Sequence, residues 1–234
     1  MVVTALILGI AGLALSLQAV ATQLLPRQFT PPQQRQITDW EAGTRWRTLP
    51  AGTIFPATVK YSPPTALDDI AGLTLTASRI GIAKQASCRT ATDPGAAVVL
   101  ARHGCEAVLR ASYVDGTGSY VVTVGVTALP GVAQAKAANR ELASGDGVLT
   151  AQFAETPAAS FTEGRRQISA HVAAGSYLIF YTIGYADDRP RVKITADSYA
   201  DAEMTAVGSG VAGAVGKVLG APVPQPRCPG TPGC

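Results

Sequence analysis

Hydrophobic and polar positions alternate along several stretches of the chain, and each stretch predicts a strand. Leu73-Thr74-Leu75-Thr76 opens one that runs toward Ile82. From Glu106 to Asp115, Ala107, Leu109, Ala111 and Tyr113 fall on one face, and Val108, Arg110, Ser112 and Val114 on the other. Asp115-Gly116-Thr117-Gly118 is a hairpin signal. Beyond it Ser119 to Leu129 is rich in β-branched residues, with Tyr120, Val122, Val124 and Val126 on one side. Val148 to Phe153 predicts a short strand, and Ile168 to Val172 with Tyr177 to Tyr185 predict a second hairpin about Ala174-Gly175.

Helical signals separate these runs. Asp93 as N-cap, Pro94 at the first position and Gly104 beyond the end bracket a short helix. Pro130 opens another to about Ser144, stopped by Gly145. Asp197 or Ser198 caps a last one from about Tyr199 to Leu219, ended by Gly220. Gly208, Gly210, Gly213 and Gly216 would each cost an isolated helix about 1 kcal/mol. They predict a backbone that approaches a neighbour closely. Hairpins with helices between them predict an α+β domain, an antiparallel sheet with helices packed on one face.

That domain is expected over residues 71–220, after a stalk over 27–70 and before a Pro-rich tail over 221–234. The stalk carries Pro50, Pro56, Pro63 and Pro64, and a short helix is predicted in it from about Gln33 to Arg47. Residues 1–26 hold no charged side chain, the first being Arg27. The run from Val2 to Leu25 approaches the ~20 apolar residues that cross a bilayer. It predicts one N-terminal transmembrane helix, with the lipid bilayer as the partner of residues 2–25. The rivals are a cleaved signal peptide, with Leu6 to Leu17 as its apolar region and Ala19-Val20-Ala21 as the cleavage site, and a fully enclosed core helix.

Four cysteines allow three pairings, and their spacing favours Cys88 with Cys105 and Cys228 with Cys234. Two disulfides require an oxidising compartment, which places the bulk of the chain outside the cell. Arg27, Arg35, Arg45 and Arg47 would argue the opposite orientation, but long domains cross largely regardless of charge. With 15% charged residues and a net charge of +3, the chain is neither a highly charged disordered segment nor a nucleic-acid binder.

Chemistry is sparse. Gly208-Ser209-Gly210-Val211-Ala212-Gly213 matches the dinucleotide fingerprint only in letters, because it lies inside a predicted helix with no strand before it. His103 and His171 have no ligand spacing to each other. Asp68-Asp69 and Asp187-Asp188 read as solvated turn acids. A rival reading gathers Asp187, Asp188, Asp197, Asp201 and Glu203 about a hard cation. No catalytic residue, metal ligand or cofactor is assigned. The best surface candidate is the aromatic face beginning at Tyr177, Tyr181 and Tyr185 and continuing to Asp187, Asp188 and Arg189. A ligand or partner groove competes there with a row of cross-strand aromatic pairs inside the core, and the alternation favours the core row.

The stretches TRWRTLPAGTIFPATVKY, SYVVTVGVTALP, YTIGYADDRPR and CPGTPGC resemble a family of actinobacterial membrane-anchored extracytoplasmic proteins. The order of cysteines, hairpins and helices is similar, more remotely, to the sensor domains of mycobacterial receptor kinases. The resemblance implies a single-pass envelope protein and carries over no activity. The expected function is a membrane-anchored extracytoplasmic binding or sensing module. A cell-envelope hydrolase using loop carboxylates and a structural subunit of a membrane complex are the alternatives.

Overall fold

The computed structural model describes residues 29–62, 73–187, 189–193 and 198–221. Residues 41–221 form one compact unit; residues 29–40 belong to another. In chain order the elements are α1 (Pro31–Thr48), α2 (Ala51–Ile54), β1 (Thr58–Tyr61), β2 (Leu75–Ile82), α3 (Cys88–Ala91), α4 (Pro94–Arg102), β3 (Ala107–Asp115), β4 (Tyr120–Ala128), α5 (Val132–Glu141), β5 (Arg166–Ala174), β6 (Tyr177–Tyr185) and α6 (Tyr199–Gly220). The six strands make one antiparallel sheet in the order β1-β2-β3-β4-β6-β5. The fold is α+β. The anchor expected over 1–26 and the Cys228–Cys234 pair lie outside the described residues. Among the described residues no helix is long and apolar enough to cross a membrane.

Helices cover both faces of the sheet, not one. On the first face Leu109, Ala111, Tyr113, Val122, Val124, Val126, Tyr177, Ile179, Tyr181 and Ile183 pack with Met204, Val207, Val211, Val215 and Leu219 of α6. On the second, Val108, Leu178 and Phe180 pack with residues of α3, α4 and α5, such as Ala91, Leu100 and Ala138. The reason is legible in β4 and β6. Nearly every residue of both strands is buried, so each presents an apolar row to either side and neither row can face water. A single layer would have left Leu178 and Phe180 exposed, at about 1.5–3 kcal/mol per side chain.

α6 follows from its sequence as read. Ser198 Oγ accepts the Asp201 amide at 3.1 Å as N-cap. A Cβ at Gly208 would overlap the Tyr181 ring, and one at Gly210 would stand 2.6 Å from Tyr61 Cβ. These two glycines let the helix backbone reach β6 and β1. The helix ends on Arg45, buried, whose Nη1 donates to the Leu219 carbonyl at 2.8 Å and the Val218 carbonyl at 3.3 Å. A cation there satisfies orphan carbonyls and suits the negative end of the helix dipole.

The expected stalk over 27–70 is corrected for residues 41–61. Residues 41–61 belong to the compact unit: Ile54 and Phe55 are fully buried, and β1 is an edge strand of the sheet. Tyr113 Oη donates to the Pro56 carbonyl at 3.0 Å, and Trp46 packs against the core. Pro50 and Pro56 punctuate turns inside the domain here, where prolines suggested a linker.

The expected strand at Val148–Phe153 is instead a strap laid across the second face. Only Val148 makes a bridge, to Thr92. Polar side chains rising from the sheet hold the strap's backbone. Thr182 Oγ1 donates to the Val148 carbonyl at 2.8 Å, Arg110 Nη1 to the carbonyls of Leu149 at 3.0 Å and Thr150 at 3.3 Å, and Ser112 Oγ to that of Ala151 at 2.7 Å. Thr123 Oγ1 accepts the Ala151 amide at 3.1 Å. Gly125 leaves room for Val148, and Gly81 for Phe153. A segment that crosses strands cannot join their ladder, so side chains take the place of the missing backbone partners.

Candidate functional site

The sequence brings the expected aromatic face into the core. Tyr177 is 1% exposed and Tyr181 is 7% exposed, both beneath α6. Tyr177 Oη donates to the Ala42 carbonyl at 2.6 Å. Burial raises the pKa of both phenols. The row is the core alternative and not a groove, because the same alternation that aligns the rings also aligns them with the apolar stripe of α6.

Tyr185, at the end of β6, stands apart from that row. Its ring lies 5.6 Å from that of Tyr120, and the Arg189 guanidinium sits 4.2 Å over it. Arg189 Nε donates to both Asp187 carboxylate oxygens at 2.9 Å, and Nη2 also donates to Asp187 Oδ2. The hydrogen bond to Arg189 holds the Asp187 carboxyl below its usual range. Both side chains are about half exposed. On the other side of Tyr185, Tyr120 Oη donates to Glu203 Oε2 at 2.6 Å. Burial, then Glu203, pushes the Tyr120 phenol well up. Tyr199 stands exposed at the start of α6. Three elements, β4, β6 and α6, therefore meet in a rim of rings and paired charges. Asp188 lies outside the described residues.

Beside this rim is a shallow depression of about 420 Å³, lined by Gln167, Ile168, Arg191, Val192, Lys193 and Asp201. Ile168 pairs with Ile183, two residues before Tyr185, which fixes the depression at the same end of the sheet. Val192 N donates to Gln167 Oε1 at 3.1 Å and ties the loop 189–193 to β5. Its lining combines two cations, Arg191 and Lys193, with one carboxylate, Asp201, and two apolar side chains, Ile168 and Val192. Of these residues the sequence singles out only Asp201 as a candidate site residue, and that as a member of a cation cluster. The available signal was Arg189-Pro190-Arg191-Val192-Lys193, which places a cation at every second position.

The remaining candidates resolve as structure. Cys88 and Cys105 form the expected disulfide, with Cα atoms 6.4 Å apart. His103 Nε2 meets Glu141 Oε1 at 2.9 Å, and His171 Nδ1 meets Asn139 Oδ1 at 3.1 Å. Among the described residues no three His, Cys, Asp or Glu side chains gather as a metal site. The cation reading finds Asp187 engaged by Arg189 and Glu203 by Tyr120, while Asp188 and Asp197 lie outside the described residues. The stretch Gly208 to Gly213 is helical, with Gly208 and Gly210 packed on Tyr181 and Tyr61 and Gly213 open.

Compared with known proteins, the chain matches no family model, no curated protein and no solved structure.

Proposed function

We propose that the chain is a membrane-anchored extracytoplasmic binding module whose contact surface is the rim at the end of β6. The observation that carries the binding reading is the exposed Arg189 stacked on Tyr185 beside the cationic depression. Arginine on an aromatic ring, next to a concave surface, is the pairing enriched at recognition sites. The carboxylates of the rim favour binding over hydrolysis. Asp187 is exposed and held ionised by Arg189, which suits neither a proton donor at neutral pH nor a water-excluding site.

The export half of the proposal draws support from the Cys88–Cys105 bridge, since such bonds persist in oxidising compartments. Residues 2–25 supply the anchor in this reading. The resemblance to actinobacterial envelope proteins belongs to the same proposal and rests on the stretches that carry it.

The test pairs two measurements on whole cells and solubilised membranes. Protease added outside intact cells should degrade the domain, and the full chain should capture a partner that Tyr185→Ala with Arg189→Glu does not. A domain untouched by external protease would overturn export. Equal capture by the double variant would overturn the rim as the contact surface.

A further inference from the structure

The two edges of the sheet differ in how they are protected. Native edge strands avoid unwanted pairing by being short, by carrying lysine or proline, or by bulging. β1 is four residues long and carries an exposed Lys60. β5 is nine residues long, without proline or lysine. Its one irregularity, between Arg166 and Ile168, lies at its beginning and leaves Ser169 to Ala174 regular. That run carries no permanent charge, and its one histidine is turned to Asn139 of α5. Among the described residues no strand pairs with its outer side. Val172 on it is 51% exposed, and Val192, which lines the depression, is 41% exposed.

The lining of the depression at this edge carries two cations, Arg191 and Lys193, against one carboxylate, Asp201. At the Arg166 end the loop tied to Gln167 offers Arg191 and Lys193, and neither forms an ion pair among the described residues. We propose that the outer edge of β5 receives an extended segment of a partner protein as a further strand, with an acidic side chain of that segment set against Arg191 and Lys193. Backbone pairing would give affinity and the cationic depression the register. This inference rests on the binding reading above and names its partner as an acidic, extended peptide.

Charge decides against a second copy of the chain as the occupant. Two β5 strands paired antiparallel about Ala170 would bring Arg191 and Lys193 of one copy toward the Ala174 end of the other. There Gly216 abuts Ala174, and the next residue is the exposed Lys217. Like charges would then meet at both ends of the joint.

The probe is the acetylated, amidated peptide Glu-Thr-Val-Thr-Val-Thr, titrated onto the full chain in detergent and followed by backbone amide exchange. The expected result is slowed exchange within 169–174. Affinity should fall about tenfold for the same peptide with Lys in place of Glu, and for Arg191→Glu with Lys193→Glu, through lost charge complementarity. Val172→Lys, a surface change that spares the fold, should also weaken binding. Protection elsewhere, equal affinity for the Lys peptide, or self-association through β5 in the absence of peptide would overturn the proposal. Each of these outcomes leaves the Tyr185 and Arg189 capture test untouched, so the two readings fail separately.

Discussion

Arg166 and Asp93 meet in a two-pronged ion pair, Nη1 to Oδ1 at 2.6 Å and Nη2 to Oδ2 at 2.7 Å, joining the first residue of β5 to the residue before α4. Asp93 does not cap its own helix through its side chain. Its Oδ2 instead also accepts the Gly147 amide at 2.8 Å, and Arg166 reaches Glu163 and Ser169 at 2.8 Å each. The irregularity between Arg166 and Ile168 turns Arg166 to the second face, where strict alternation would set it with Ile168 on the first. Burial opposes the charge on Arg166, but Asp93 and then Glu163 outweigh it and raise its pKa.

Removing one partner should therefore cost more than the pair contributes. Asp93→Ala leaves a guanidinium that is only 15% exposed with one carboxylate fewer, and frees the start of the strap at Gly147. We expect a loss of about 2–3 kcal/mol, since breaking a partly buried pair strands a charge. Replacing both partners by apolar residues of similar volume should cost less than Asp93→Ala alone. Urea denaturation of the single and double variants checks this, and additive losses would sink the argument.

The glycines of α6 give a paired prediction. At Gly208 a new methyl group would overlap the Tyr181 ring, a rigid side chain within the core, whereas at Gly213 nothing stands within 4 Å. Gly208→Ala should destabilise by about 1–3 kcal/mol through overpacking. Gly213→Ala should stabilise by up to about 1 kcal/mol through helix propensity. Thermal unfolding should move in opposite directions for the two variants.

Legibility of this fold tracked local chemistry. Ser198, Pro94 and the hairpin glycines act within a few residues, and α4, α6 and both hairpins stand where those signals put them. Asp93 shows the limit: it carries a capping residue's letter, yet its side chain serves Arg166, 73 positions away. The second helical layer was written in Leu178 and Phe180, but a face count taken from one side of β6 overlooked it. The strap carries a strand's letters in Val148 and Phe153, while its partners are side chains from three strands, β3, β4 and β6. The rim was half legible. Tyr185 and Arg189 are legible as part of the face and Asp201 and Glu203 only as members of a cation cluster; that Glu203 meets Tyr120 and that Asp201 shares a depression with Gln167 is set by long-range folding.

The Cys88–Cys105 bridge joins α3 to the turn before β3, across α4. Cross-linking residues 17 apart limits the unfolded chain, worth about 3 kcal/mol in the loop-entropy account. Cys88→Ala with Cys105→Ala should lower the denaturation midpoint by an equivalent amount and leave the exposed rim intact. Thiol titration of the purified, unfolded protein should find these two cysteines oxidised. Free thiols at both positions in native material would remove the support for export.

Alkaline pH should unfold the domain through its tyrosines. On the first face Tyr61, Tyr113, Tyr120, Tyr177 and Tyr181 all have raised pKa values, with burial the leading cause in each. Tyr61 is pushed up from 10.0 to about 12, burial being joined by Asp115 and Glu203. The sign follows from linkage: between those values the unfolded chain has released its phenol protons and the folded one has kept them. Stability is thus fully present below 10.0 and declines as pH climbs toward 12. Tyr61→Phe removes one such proton and should flatten the decline, even where it changes stability at neutral pH. Denaturation midpoints measured across this range, with tyrosinate absorbance as the second readout, would contradict the argument if the wild type and the variant lost stability with equal slope.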